Sequence, residues 1–268
     1  MHSAIAGFKA TGPGGALYTQ YELQGNAEDG RKLARKIRAS DASLVLAVGL
    51  KAALAAKLEI PDIPIVYMMI LDPLKHQLTA PNMTGTMLEV PIDRQLKTIR
   101  AFLPSIQRLG VLYDPQKSAV RFKDAERQGL TLAMELKGFP VDSEKELPQQ
   151  LRTLLWSSDA LWLLPDSTVL TNESLHFILD SAQAQHIPVI GFSPELTRLG
   201  ALLSFSVDYA EVGRETGLLA RRALNGERMS SVKPVPIERF MITVNMKTAR
   251  FLGLSFPKEV HGLIDESY

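Results

Sequence analysis

The chain has 268 residues, a formal net charge of +1, 22% charged and 46% hydrophobic residues, a balance that excludes a disordered tail and describes one or two globular domains able to bury a core. With 18 glycines and 16 prolines, usage is ordinary and collagen-like or low-complexity character is excluded as well. Lysine and arginine number 30 against 29 acidic residues and no basic run stands out, which argues against a nucleic-acid partner, while the absence of cysteine removes disulfides, thiolate metal sites and cysteine nucleophiles together.

Met1-His2-Ser3 opens no signal peptide, and no apolar run approaches the roughly 18 to 20 residues that span a bilayer. Gly12-Pro13-Gly14-Gly15 reads as a turn ahead of a strand. It is a poor phosphate loop, because no helix N-terminus follows to hold an anion. Residues 44–48 form a short apolar run ended by Gly49, the profile of a strand covered on both faces. An alanine- and leucine-rich helix over 51–58 and a second buried strand over 63–70 complete one βαβ unit. The same grammar then continues. A helix over 94–102 stops at Pro104, and a strand over 108–113 runs into Asp114-Pro115. A long helix over 122–137 is expected to end at Gly138. Strands over 159–164 and 187–190 flank a helix over 175–185, a helix over 209–224 closes at Asn225-Gly226, and a late strand covers 241–244.

Strands alternating with helices in this way imply parallel sheets. Two such series imply two lobes, with a junction near Thr84 to Pro91 and short hinge strands near 85–91 and 204–208 in place of a flexible tether. The expected division is 1–88 with 206–240 for one lobe and 89–205 with 241–268 for the other.

Familiar catalytic signatures are missing: no Gly-x-Ser-x-Gly, no His-Glu-x-x-His, no Walker-type Gly-Lys-Ser/Thr. His2, His76, His176, His186 and His261 are scattered, with no pair at ligand spacing, so neither a metal nor a cofactor is expected. His176 and His186 bracket one helix and fit its solvent side. What the sequence does place together is polar residues at the C-terminal ends of strands, the edge where open parallel sheets bind ligands. These are Gly49-Leu50-Lys51, Asp72-Pro73, Tyr113-Asp114, Asp166-Ser167-Thr168 and Phe192-Ser193. Each alone suits a cap or a turn; their repetition at one edge suggests a site.

The order Ala47-Val48-Gly49-Leu50-Lys51-Ala52-Ala53, Ile63-Pro64-Ile65-Val66-Tyr67, Asp72-Pro73 and Asn82-Met83-Thr84-Gly85 resembles the substrate-binding proteins of ABC transporters, in the subfamily that includes binders of tryptophan and other aromatic amino acids. The likeness continues through residues 103–113 with Asp114-Pro115, Leu164-Pro165-Asp166-Ser167, Ile187-Pro188-Val189-Ile190-Gly191, Asp208-Tyr209 with Gly213, and Val244-Asn245 with Ala249 and Leu252-Gly253. It runs from about Ala4 to the C-terminus. The resemblance implies an α/β, two-lobed type I periplasmic-binding-protein fold, each lobe a parallel sheet flanked by helices. It also implies an exported or membrane-anchored monomer outside the cytoplasmic membrane that closes on a small molecule and hands it to an ABC permease, with no chemistry done on it. Relatives carry an export signal and a strand ahead of the helix that Ser3 to Lys9 resembles; the first lobe is expected to lack that strand. At Gly49-Leu50-Lys51 relatives more often carry Thr or Ser, a hydroxyl that would suit a ligand carboxylate.

The ligand-lining residues expected on this basis are Leu50, Asp72, Tyr113, Asp114, Asp166, Ser167, Phe192, Ser193 and Asp208. Asp166 or Asp208 would pair a ligand ammonium, and Tyr113 or Phe192 would stack on a flat or apolar group. Two alternatives stay open on sequence: a sensory module with the same lobes that feeds no permease, and an enzyme in which Asp114 and Asp166 face each other with one carboxyl raised in pKa.

Overall fold

The computed structural model describes residues 1–23 and 27–268. In chain order the elements are α1 (His2–Thr11), α2 (Ala27–Arg38), β1 (Val45–Val48), α3 (Leu50–Glu59), β2 (Ile65–Ile70), β3 (Met83–Met87), α4 (Ile92–Phe102), β4 (Arg108–Tyr113), α5 (Ala119–Leu130), β5 (Glu135–Pro140), α6 (Leu147–Ser157), β6 (Ala160–Trp162), α7 (Asn172–Ala184), β7 (Val189–Gly191), α8 (Pro194–Arg198), β8 (Leu203–Val207), α9 (Tyr209–Leu224), β9 (Phe240–Val244), α10 (Met246–Phe251) and β10 (Glu266–Ser267). Contacts divide the chain into unit 1, Met1–Glu89 with Val207–Arg239, and unit 2, Val90–Ser206 with Phe240–Tyr268.

Unit 1 carries a three-stranded sheet in the order β1-β2-β3, with parallel pairing throughout. The near-continuous apolar runs of β1 and β2 fit strands covered on both faces. On one face Ala53, Ala56 and Ile60 pack with Val45, Ala47 and Tyr67. On the other, Phe8 of α1 and Leu219 and Ala220 of α9 close over Val66. Helices α1 and α9 approach so closely that a Cβ on Gly213 would overlap the Ala4 carbonyl oxygen and stand 2.7 Å from the Phe8 nitrogen. The Thr11 hydroxyl donates to the Arg214 carbonyl at 2.6 Å across the same contact. β3 is polar for a buried strand, and its hydroxyls are all partnered: Thr84 donates to the Val232 carbonyl at 2.8 Å, and Thr86 and Thr216 bond each other at 2.8 Å.

The outer layer of unit 1 is tied by ion pairs. Arg31 and Arg35 of α2 both reach Glu59 at the end of α3, at 2.6 and 2.8 Å. The hydrogen bonds from Arg35 and then Arg31 draw the Glu59 carboxyl down to about 2 from an ordinary 4.5. A carboxyl depressed on folding stabilises the native state fully above its unfolded pKa and loses that contribution as pH falls through the folded value. Unit 1 is therefore expected to weaken between about pH 4.5 and about pH 2. Thermal melts across that window should show a shallower acid dependence for Glu59→Gln than for the wild-type chain; equal slopes would count against the clamp.

Unit 2 is a seven-stranded sheet in the order β10-β9-β8-β7-β6-β4-β5, with parallel pairing at β4–β5, β4–β6, β6–β7, β7–β8 and β9–β10. Its core joins Leu112, Leu161 and Leu163 of the sheet region to Leu151 and Leu154 of α6 and Ile178 and Leu179 of α7.

The mixed α/β architecture with parallel sheets flanked by helices is as expected from the sequence, and several elements lie within two residues of the expected bounds. Four differences stand out. The helix expected over 122–137 stops at Leu130, and Glu135–Pro140 is a strand paired in parallel with β4. Gly138 does not end a helix: it sits mid-strand, where a Cβ would meet Phe122 Cζ at 2.5 Å and Tyr113 Cε1 at 2.9 Å. The strand expected after Gly12-Pro13-Gly14-Gly15 does not form, since residues 16–23 are neither helix nor strand. Helices α2 and α6 were not expected from the sequence, and β3, expected only as a hinge strand near 85–91, pairs in the small sheet. The segment read only as a hinge near 204–208 contributes β8 to the large sheet.

Candidate functional site

In unit 2 the register that places β4 beside β6, Leu109 opposite Ala160 and Gly110 opposite Leu161, brings the loops after both strands side by side. Asp114 and Asp166 meet there, both buried. Asp166 Oδ2 accepts the Asp114 N–H at 2.8 Å, and Asp166 Oδ1 accepts the N–H groups of Thr168 at 2.9 Å and Val169 at 3.4 Å. Asp114 Oδ1 accepts the Gln116 N–H at 2.8 Å, and its Oδ2 accepts the Thr168 hydroxyl at 2.6 Å. Lys117 completes the cluster, donating from Nζ to Ser167 Oγ at 2.9 Å and to Thr168 Oγ1 at 2.7 Å. The Thr168 hydroxyl, and then the Gln116 N–H, hold the Asp114 carboxyl below its ordinary value.

Both carboxyl groups accept hydrogen bonds from the chain itself, and the pair works as a clamp joining two strand-end loops.

Further along the same edge, the half-buried Tyr113 stacks on Phe122 with ring centroids 4.7 Å apart and planes within 10°, so one ring face is already covered. After β7, Phe192 packs against the core of the unit, and the Ser193 hydroxyl caps α8 by accepting the Leu196 N–H at 3.5 Å.

In unit 1 the corresponding edge lies at the ends of β1 and β2. Gly49 caps α3 with φ 86°, and the space a Cβ would occupy is open. The positive φ favours glycine there, and Gly49 has no side chain of its own to cap the first turn of α3. Leu50, half-buried, begins α3. Strand β2 shifts register between Tyr67 and Ile70, with Met69 at φ 63°, a costly backbone for a long side chain. Asp72, exposed and at φ 44°, accepts the Lys75 N–H at 3.0 Å and so shapes the following turn. Asp208 caps α9, accepting the N–H groups of Ala210 at 2.8 Å and Glu211 at 3.3 Å, with Arg214 3.5 Å from its other oxygen.

The structure thus groups Tyr113, Asp114, Asp166, Ser167, Phe192 and Ser193 on three neighbouring strand ends of unit 2, and Leu50 and Asp72 on two neighbouring strand ends of unit 1; Asp208 stands at the head of α9. Reading the sequence missed Lys117 and Met69. The strand-end tripeptide contains Thr168, but only the β4–β6 adjacency reveals what it joins. His176 and His186 are exposed, and His186 lies flat against Phe251, ring centroids 5.1 Å apart. Among the described residues no cluster of three or more His, Asp or Glu side chains is arranged to hold a metal, and no helix is long and apolar enough to cross a membrane.

A family model for the ABC transporter substrate binding protein matches residues 8–267, spanning both units. The chain belongs to this family. Among curated relatives, a tyrosine-binding protein of Clostridioides difficile (strain R20291) is 22% identical over 232 residues, 84% of this chain and 67% of the relative. Among solved structures, the ligand-free, open form of a substrate binding protein with adhesive properties from Clostridium difficile matches with a TM-score of 0.81 at 23% identity, covering 99% of this chain and 92% of that one. An ABC domain from Streptococcus pneumonia in complex with L-Trp matches with a TM-score of 0.65 at 20% identity, covering 100% and 96%. These structural likenesses show the fold: the substrate-binding family's two-lobed type I periplasmic-binding-protein architecture.

Proposed function

We propose that the protein is the extracytoplasmic solute-binding component of an ABC transporter, gripping an amino acid between its two lobes and delivering it to a membrane permease. The observation that carries this reading is the family match across residues 8–267. Relatives named for tyrosine and crystallised with tryptophan support an aromatic amino acid as the ligand class. Leu50, Asp72, Tyr113, Asp114, Asp166, Ser167, Phe192, Ser193 and Asp208 are proposed to line or frame the ligand. Tyr113 and Phe192 offer apolar surface, and the Asp114–Asp166 clamp holds its loops in one geometry before ligand arrives, so little ordering is left to oppose binding.

Calorimetric titration with L-tyrosine, L-tryptophan and L-leucine tests the proposal. At least one aromatic amino acid is expected to bind with a Kd of about 1 μM or tighter, about −8 kcal/mol or better. Heat traces indistinguishable from buffer for all three would overturn it.

A further inference from the structure

Resting on the amino-acid reading above, we infer that Lys117 and Ser167 form the subsite for the ligand's carboxylate. An ammonium has three N–H donors. Lys117 places two of them on Ser167 Oγ and Thr168 Oγ1, at 2.9 and 2.7 Å. Asp114 Oδ2 is its ion-pair partner at 3.9 Å, beyond hydrogen-bond reach, so the third donor is left for an incoming acceptor. The Lys117 side chain is 48% exposed. Ser167, also exposed, accepts from Lys117, and its own proton goes to no acceptor among the described residues. Thr168 differs, because its proton is committed to Asp114 at 2.6 Å.

The neighbouring acceptors are occupied. Both Asp166 oxygens take backbone N–H groups, and Asp114 takes one N–H and one hydroxyl. This part of the β4–β6 edge therefore presents two free donors, one of them charged. An acceptor-only anion with two oxygens fits that pattern; a carboxamide, with one acceptor and two donors and no charge, does not. The ammonium is also fixed before ligand arrives. Two hydroxyls hold it in place, which removes much of the side-chain entropy that makes an ordinary surface lysine a weak partner. Unit 1 offers no hydroxyl at the matching point after β1, where Gly49 and Leu50 stand.

The test compares L-tyrosine and L-tryptophan with L-tyrosinamide and L-tryptophanamide on the wild-type chain, Lys117→Gln, Lys117→Arg and Ser167→Ala, with melting temperatures measured alongside. The wild-type chain should prefer the acids. Lys117→Gln should weaken acid binding about tenfold to a hundredfold, the range for a hydrogen bond to a charged group, while amide binding changes much less. Lys117→Arg should retain most of the preference and Ser167→Ala part of it. Equal affinity of the wild-type chain for acid and amide would overturn the inference while leaving amino-acid binding intact. So would a Lys117→Gln chain of unchanged melting temperature that weakens both by the same factor. Failure of the wild-type chain to bind any of the four compounds would instead strike the amino-acid reading itself, and this subsite with it.

Discussion

Gly213→Ala is expected to destabilise unit 1 by about 3 kcal/mol or more, the upper range for forcing extra volume into a packed interior. The added methyl would overlap the Ala4 carbonyl oxygen and press on the Phe8 nitrogen. Backbone atoms cannot step aside as a flexible side chain would, so α1 and α9 must separate along their shared length. The gain in helix propensity from replacing glycine, about 1 kcal/mol, is too small to offset this. Separation would also stretch the Thr11–Arg214 hydrogen bond and loosen Phe8 against Val66, Leu219 and Ala220. Gly14→Ala is the matched control: nothing lies within 4 Å of its added methyl, and the change should stay within about 0.5 kcal/mol. Urea denaturation of both variants decides the matter, and a Gly213→Ala midpoint equal to that of the wild-type chain would refute the close helix contact.

Asp166→Ala should have a comparable effect on unit 2 and a greater one on binding. The substitution strands the N–H groups of Asp114, Thr168 and Val169, and each buried donor left without a partner costs about 1–3 kcal/mol. Some regain water as the loops relax, so a total of about 3 kcal/mol is the expected loss. The loops after β4 and β6 then lose their shared anchor, and the proposed Lys117–Ser167 subsite loses its geometry with them. Asp166→Asn keeps one accepting oxygen and should retain part of both stability and affinity. Denaturation and amino-acid titration on the two variants give the comparison; an alanine variant as stable as the wild-type chain would mean the clamp is incidental.

Much of the fold was legible because the central strands are written in uninterrupted apolar runs. β4 and α9 occupy the residues expected, and β1, β2, β7 and β9 lie within two residues of expectation. The misses have physical causes. β3 reads Met-Thr-Gly-Thr-Met, and its buried hydroxyls become affordable only through partners at Val232 and Thr216, far along the chain. β5 contains Glu135, Lys137 and Gly138, too polar and broken to announce a strand until β4 lies beside it. Helix α2 is dominated by charge, and what holds Arg31 and Arg35 is Glu59 on another helix. At the candidate site, Asp114 and Asp166 each stood among the polar strand-end residues, but only the β4–β6 adjacency makes them neighbours. Their mode of interaction was not legible, nor was the part played by Lys117, because hydrogen bonds spanning 50 and more residues depend on sheet order.

The contact between α1 and α9 also bears on synthesis. Thr11 ends one helix and Tyr209 begins the other, far apart in sequence, so a chain leaving the ribosome displays Ala4 and Phe8 to solvent until residues 209–224 have emerged. Unit 1 therefore cannot mature while residues 209–224 are still unmade. Its closing step waits for α9, an interval in which a holding chaperone would find an apolar helix face to cover.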